Sequence, residues 1–104
     1  MPLPMSQPQH RNFTLEPADN ERLANLCGPF DAHLRQIELR LGVEISNRGQ
    51  VFQVTGPAKA GFAAERLLRA LYEEAADTVL DDQAVHLRLN EANVEQVAER
   101  AYEA

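Results

Sequence analysis

The chain has 104 residues, with 16 Asp and Glu against 10 Lys and Arg, a formal net charge of −6 and no Trp. This length predicts one domain, and the apolar stretches are too short for a membrane span of ~20 residues, so no membrane partner is expected. The single cysteine, Cys27, cannot form an internal disulfide, which is typical of the reducing cytoplasm. Taken as a whole, the acidic balance disfavours nucleic acid, because phosphate binding requires Lys and Arg.

The charge is unevenly distributed along the chain. Residues 1–70 hold eight basic and seven acidic residues, a balance of +1, whereas residues 71–104 hold two basic and nine acidic residues, a balance of −7. The acidity therefore belongs to the last third of the chain. The net charge does not exclude RNA on the first two thirds, although a balance of +1 predicts weak and salt-sensitive binding.

The first predicted elements are a disordered lead-in, a strand and a helix. Residues 1–10 contain three prolines and two glutamines and are expected to be disordered. Polar and apolar residues alternate over 12–16, which predicts a strand that ends at Pro17. Apolar residues spaced by three and four within 19–27 predict a helix that ends at Gly28.

A second helix and a β-hairpin are predicted next. The helix is expected to begin just after Pro29 and to end at Gly42, with one apolar stripe formed by Phe30, Leu34, Ile37 and Leu41. Residues 43–46 and 50–55 alternate with period two on either side of Asn47-Arg48-Gly49. This pattern is typical of a hairpin.

The third predicted helix begins at Pro57 and has two different sides. Its apolar side is expected to face the core and consists of Ala60, Ala64, Leu67, Leu68, Leu71 and Ala75. On the polar side, Glu65 and Arg69 have the spacing of a favourable ion pair. Phe62 lies opposite the apolar side, so it is either exposed or buried by a local deviation of the helix start. If exposed, Phe62 and Arg66 are candidate contacts with another protein domain.

The C-terminal part, residues 77–104, is predicted to be an acidic loop, a short strand and a helix. Alternation of Val85, Leu87 and Leu89 predicts the strand, and weak apolar periodicity predicts the helix over 94–101. The order of elements predicts an α+β domain over residues 11–76, with a small three-stranded sheet and helices packed on one face.

Particular runs of residues resemble known families. Leu26-Cys27-Gly28-Pro29-Phe30-Asp31, a helix, Gly42-Val43-Glu44-Ile45, a hairpin and Val54-Thr55-Gly56 before an Ala-rich helix resemble a type I KH domain over roughly residues 13–76. More closely, segments 15–20, 23–31, 41–45, 47–49 and 85–87 resemble the N-terminal region of bacterial PhoH-like (phosphate starvation-inducible) proteins.

The PhoH-like resemblance implies a function that the chain performs with another domain. That family joins a KH-like module to a following P-loop ATPase domain, and its members are thought to act on RNA. The chain is therefore expected to be an N-terminal module without a cofactor of its own. ATP and Mg²⁺ would belong to the ATPase domain, and the full-length protein is expected to bind single-stranded RNA weakly and to form a homo-oligomer.

The turn between the first two helices is the first candidate nucleic-acid site. A KH domain uses a GxxG turn whose backbone amides approach the RNA phosphates. Here the four positions are Gly28, Pro29, Phe30 and Asp31. Asp31 is expected to cap the second helix, yet it places a carboxylate where a phosphate would lie, and Pro29 removes an amide donor. The turn therefore either binds RNA or only shapes the fold.

Further candidate residues lie on one flank of the second helix and at the hairpin tip: His33, Gln36, Arg40 and Arg48. The KH resemblance places nucleic acid between this helix and the hairpin. Arg40 and Arg48 are therefore expected to contact phosphates or to stack on bases. The alternative is an ordinary solvated helix face and a turn arginine.

No catalytic or metal site is predicted within the chain. Residues 56–61 have the glycine spacing of a P-loop, but Phe62 and Ala63 stand where Lys and Ser or Thr are required. The three histidines are far apart, and one cysteine is too few to complete a metal site with them. Two hypotheses remain: a KH-like module that delivers RNA to an ATPase domain, or a protein-interaction module that positions ATPase subunits.

Overall fold

The computed structural model describes residues 9–91, in which three antiparallel strands form the sheet. The strands are β1 (Gln9–Thr14), β2 (Glu44–Arg48) and β3 (Val51–Gly56), and β3 lies in the middle. Alternate residues point to the buried face, where Phe13 of β1 stacks on Phe52 of β3 with ring centroids 5.9 Å apart. The other face of the sheet is open to solvent, as is common in small antiparallel sheets.

The described helices pack on the buried face of this sheet. They are α1 (Asn20–Cys27), a short 3-10 turn (Pro29–Asp31), α2 (Ala32–Leu41), α3 (Ala58–Glu74) and a helical segment over 82–91 that we call α4. This arrangement confirms the predicted α+β fold and is compatible with a small KH-like domain. Within residues 9–91, no helix combines the length and the apolar composition that crossing a bilayer requires.

The apolar side of α3 forms the centre of the core. Ala64, Leu67, Leu68 and Leu71 are all buried, as the sequence pattern predicts. Burial of each leucine contributes roughly 1.5–3 kcal/mol. On the exposed side, the predicted ion pair is confirmed, since Arg69 Nε donates to Glu65 Oε2 at 2.9 Å.

The three strands begin and end at residues other than those predicted. β1 begins at Gln9, so the prediction that residues 9 and 10 are disordered is wrong: Gln9 and His10 lie opposite Gly56 and Thr55 of β3. Residues 1–8 lie outside the described part of the chain. Asn47 and Arg48 belong to β2 rather than to the turn, which consists of residues 49–50. Long-range pairing with β3 decides where β1 begins, whereas a two-residue turn within the hairpin decides where β2 ends.

The strand predicted from Val85, Leu87 and Leu89 is wrong, because these residues lie in α4. Val85 and Leu89 are four residues apart and fully buried, whereas Leu87 is 62% exposed. Asp81 begins the helix, since its carboxylate accepts from the Ala84 amide at 2.8 Å. The helix predicted over 94–101 lies outside the described residues.

Candidate nucleic-acid interface

The turn between α1 and α2 has a backbone that only glycine allows at its first position. Gly28 has φ 77° and ψ 173°, a region that is essentially closed to residues with a Cβ. A Cβ built there would lie 2.7 Å from Cγ of His33. The His33 ring is held in place because its Nδ1 donates to the Leu26 carbonyl at 3.0 Å. Gly28 and His33 therefore fix the direction in which the turn leaves α1.

The next positions of the turn are strained and expose an aromatic ring. Phe30 and Asp31 have φ values of 54° and 59°, and the Phe30 side chain is 102% exposed. Each left-handed residue costs roughly 1–2 kcal/mol. The prediction that Phe30 joins the buried stripe of α2 is wrong. The predicted cap by Asp31 is wrong as well, because its left-handed backbone leaves its carboxylate without a hydrogen bond to the helix.

A groove of about 500 Å³ lies between α1, this turn and β2. Its apolar floor comes from α1 and consists of Leu23, Ala24 and Cys27. Phe30 and Asp31 stand on one side of it, and Asn47 of β2 stands on the other. The KH resemblance predicts nucleic acid between the second helix and the hairpin. The groove shares β2 of the hairpin with that place, but α1 and the 28–31 turn line it instead of α2.

The β2 side of the groove has an open strand edge. The Ile45 amide points away from β3 and donates to Glu38 Oε2 at 2.7 Å. Because the amides of an edge strand alternate in direction, the Asn47 amide also points away from β3. Asn47 thereby offers a backbone donor and acceptor beside the apolar floor.

The charge of the groove opposes phosphate. Among the residues that line it in the described part of the chain, Asp31 carries the only charge, and none is Lys or Arg. Burial, followed by the Asp31 carboxylate, raises the pKa of the Cys27 thiol to about 11. The thiol is therefore protonated at neutral pH and packs in the core as an uncharged side chain.

The predicted residues on the flank of α2 do not reach the groove. His33 is buried, which contradicts its predicted place on an exposed flank. Gln36 donates to the Asp82 carbonyl at 3.1 Å, and Arg40 donates to His86 Nδ1 at 3.1 Å and to Asn90 Oδ1 at 3.0 Å. The side chains of Gln36 and Arg40 are thus bonded to α4, although Arg40 stays exposed.

Arg48 lies on the open face of the sheet, away from the groove. It stands opposite Val51 and, together with Ser46 and Gln53, lines a second groove of about 480 Å³. Of the predicted residues, only Gly28, Phe30 and Asp31 line the groove, and Pro29 does not. The contributions of Leu23, Ala24 and Asn47 were not predicted, although the apolar spacing of α1 had marked Leu23 as a residue of one helix face.

Of the two alternatives for Phe62, exposure is the one observed, since the residue is 50% exposed. The guanidinium carbons of Arg11 and Arg66 lie 5.5 Å and 5.7 Å from the centroid of its ring. These distances are within cation–π range. The ring and the two arginines stand beside β1 and α3, whereas the groove stands beside β2.

A scan of known protein families finds no family model that matches the chain. Within residues 9–91, no three His, Cys, Asp or Glu side chains are grouped so that they could hold a metal ion. The functional assignment therefore depends on the fold and on the chemistry of the surfaces described above.

Proposed function

We propose that the chain is the KH-like N-terminal module of a PhoH-like ATP-binding protein, and that its groove holds single-stranded RNA for a downstream ATPase domain. The element order and the groove between α1, the 28–31 turn and β2 support this proposal. The module acts in the cytoplasm by binding and performs no chemistry. ATP and Mg²⁺ are held by the ATPase domain, and the full-length protein assembles as a homo-oligomer.

The observation that carries the proposal is the exposed ring of Phe30 at the edge of the groove. An aromatic residue that is 102% exposed in a strained turn gains nothing for the fold. Strained residues of this kind cluster at functional sites. Stacking of one base on an aromatic ring contributes roughly 1–3 kcal/mol, and it does not require a cation at the same place. The Asn47 backbone then supplies hydrogen bonds to base edges.

A second candidate function is the binding of a protein segment in the same groove. The specific observation in its favour is that Asp31 is the only charged residue of the described lining. An apolar floor, an open strand edge and one carboxylate suit an extended peptide with a basic residue. In that case the module positions ATPase subunits without touching RNA.

The experiment compares two exposed apolar side chains. Binding of a fluorescein-labelled oligouridine is followed by anisotropy at about 50 mM salt, where phosphate contacts are strongest. We expect Phe30→Ala to weaken binding at least about fivefold, because one stacking contact is lost. Leu39→Ala is the matched control, since Leu39 is 85% exposed on α2 and does not line the groove. Absence of RNA binding by the unaltered chain would overturn the proposed RNA function.

A further inference from the structure

The basic residues of the domain are concentrated on one surface. Residues 9–91 contain nine Lys and Arg side chains. Four of them lie on α3 or on the neighbouring β1: Arg11 and Arg66 lie beside the Phe62 ring, and Arg69 lies beside the Phe13 ring. Lys59 lies three residues before Phe62 in α3. We call this surface the α3 stripe: Arg11, Lys59, Phe62, Arg66 and Arg69. Among the other five, Arg35 and Arg88 pair with carboxylates, and Arg40 bonds to α4.

Helical spacing aligns the α3 stripe. Lys59, Phe62, Arg66 and Arg69 follow one another at three- and four-residue intervals, which places them on one face of α3. With a rise of about 1.5 Å per residue, they form a track roughly 15 Å long. Arg11 joins it from β1 and lies next to the Phe62 ring.

Within residues 9–91, Glu65 is the one carboxylate that pairs with these arginines, and its hydrogen bonds are already made. Glu65 accepts from Arg11 Nη1 at 3.1 Å and from Arg69 Nε at 2.9 Å, and its side chain is only 18% exposed. Each of these guanidiniums has five N–H donors, so most of the donors stay available. The three arginines and Glu65 therefore carry a balance of +2, and exposed Glu73, four residues beyond Arg69 on the same face of α3, lowers it to +1. The groove carries −1.

We propose that the α3 stripe binds the phosphate backbone of single-stranded RNA, as a surface separate from the groove. This inference deepens the proposed RNA function and rests on it. An RNA whose bases lie in a groove without cations needs its phosphates neutralised elsewhere, and the stripe gathers four of the nine Lys and Arg residues of 9–91. The order cation, aromatic ring, cation matches a ligand that alternates phosphates with flat bases. An acidic peptide would match the charge but not the ring.

The test measures the salt dependence of oligouridine binding by the 104-residue chain. Each phosphate contact contributes roughly 0.7 to the slope of log K against log salt for a single strand. We expect Arg66→Gln to reduce that slope by about 0.7 and to weaken binding about fivefold at about 50 mM salt. Arg66→Lys keeps the charge and should keep the slope. Arg35→Gln removes the same charge from α2 and should bind like the unaltered chain.

The outcomes separate this inference from the proposed function. No RNA binding by the unaltered chain would overturn both. A second outcome is that Phe30→Ala weakens RNA binding while Arg66→Gln and Arg35→Gln change it equally. That outcome would overturn only the proposal that the α3 stripe binds phosphates. Tighter binding of an oligoglutamate peptide than of oligouridine, with loss in Arg66→Gln, would assign the stripe to an acidic protein and would also overturn the inference. Thermal unfolding of each variant confirms that these exposed substitutions leave the fold intact.

Discussion

The groove and the α3 stripe stand at opposite edges of the same three-stranded sheet, beside β2 and β1 respectively. The groove is shaped by backbone, through the constrained Gly28 and the open edge of β2, and its charge is negative. The stripe is made of long side chains on a regular helix, and its charge is positive. In the proposed function, the α+β fold thus provides the shape for a single strand in one place and the charge in another.

The largest expected effect is a loss of stability on substitution of Gly28, which fixes the backbone of the turn beside the groove. Gly28→Ala should destabilise the domain by about 3 kcal/mol, because a Cβ meets the His33 ring and the backbone region is closed to alanine. Urea unfolding measures the change. Gly42→Ala is the control, since Gly42 also has a positive φ but nothing lies within 4 Å of its added Cβ, and it should cost about 1 kcal/mol. Equal losses would show that His33 does not hold the turn.

Because the backbone of Phe30 is strained, its substitution should weaken RNA binding without lowering the stability of the domain. Phe30→Gly relieves a left-handed residue, so the free energy of unfolding should stay constant or rise by up to about 1 kcal/mol, while RNA binding weakens. Leu39→Gly, at an equally exposed position inside α2, should lower stability by about 1 kcal/mol. If Phe30→Gly lowers stability as much as Leu39→Gly does, the backbone of Phe30 is not strained.

The sign of the charge effect at Asp31 distinguishes the two candidate ligands of the groove. Asp31→Asn should strengthen oligouridine binding about two- to fivefold, because it removes a repulsive charge beside the strand. Glu44→Gln removes a carboxylate from the open face of the sheet and should change little. If Asp31→Asn leaves RNA binding unchanged but weakens a lysine-rich peptide, the groove belongs to a protein partner.

The smallest effect concerns the thiol in the floor of the groove. The Cys27 pKa is about 11 in the folded domain against 9.0 for an ordinary thiol, so the unfolded chain loses this proton first as the pH rises. Stability should therefore fall between about pH 8 and about pH 10, by about 1 kcal/mol more in the unaltered chain than in Cys27→Ala. Urea unfolding at both pH values measures the difference, and identical pH slopes would show that the thiol is not desolvated.

Much of the fold was predictable because its signals are local. The leucine spacing of α3 and the glycines at 28 and 42 mark elements whose periodicity or backbone needs no distant partner. The helix around Val85 and Leu89 was not predictable from the sequence. A spacing of four residues fits both the strand period and the helix period, and only packing against the core distinguishes them.

The candidate surfaces were less predictable than the fold. The α2 flank is bonded to α4, whose residues lie more than 40 positions further along the chain. The α3 stripe likewise needs Arg11 to meet Phe62 across 51 positions, through the pairing of β1 with β3. Side-chain periodicity reports which residues share a helix face, but it does not report which distant element covers that face.

The most direct test is a nuclear magnetic resonance titration of the 104-residue chain with oligouridine. Binding as proposed predicts amide shifts at Phe30 and Asn47, on the two sides of the groove, and shifts at Arg66 that weaken with added salt. The amides of Leu39 and Glu44, outside both surfaces, should stay in place. Saturable RNA binding that leaves Phe30 and Asn47 unshifted would contradict the central claim that the groove holds the RNA.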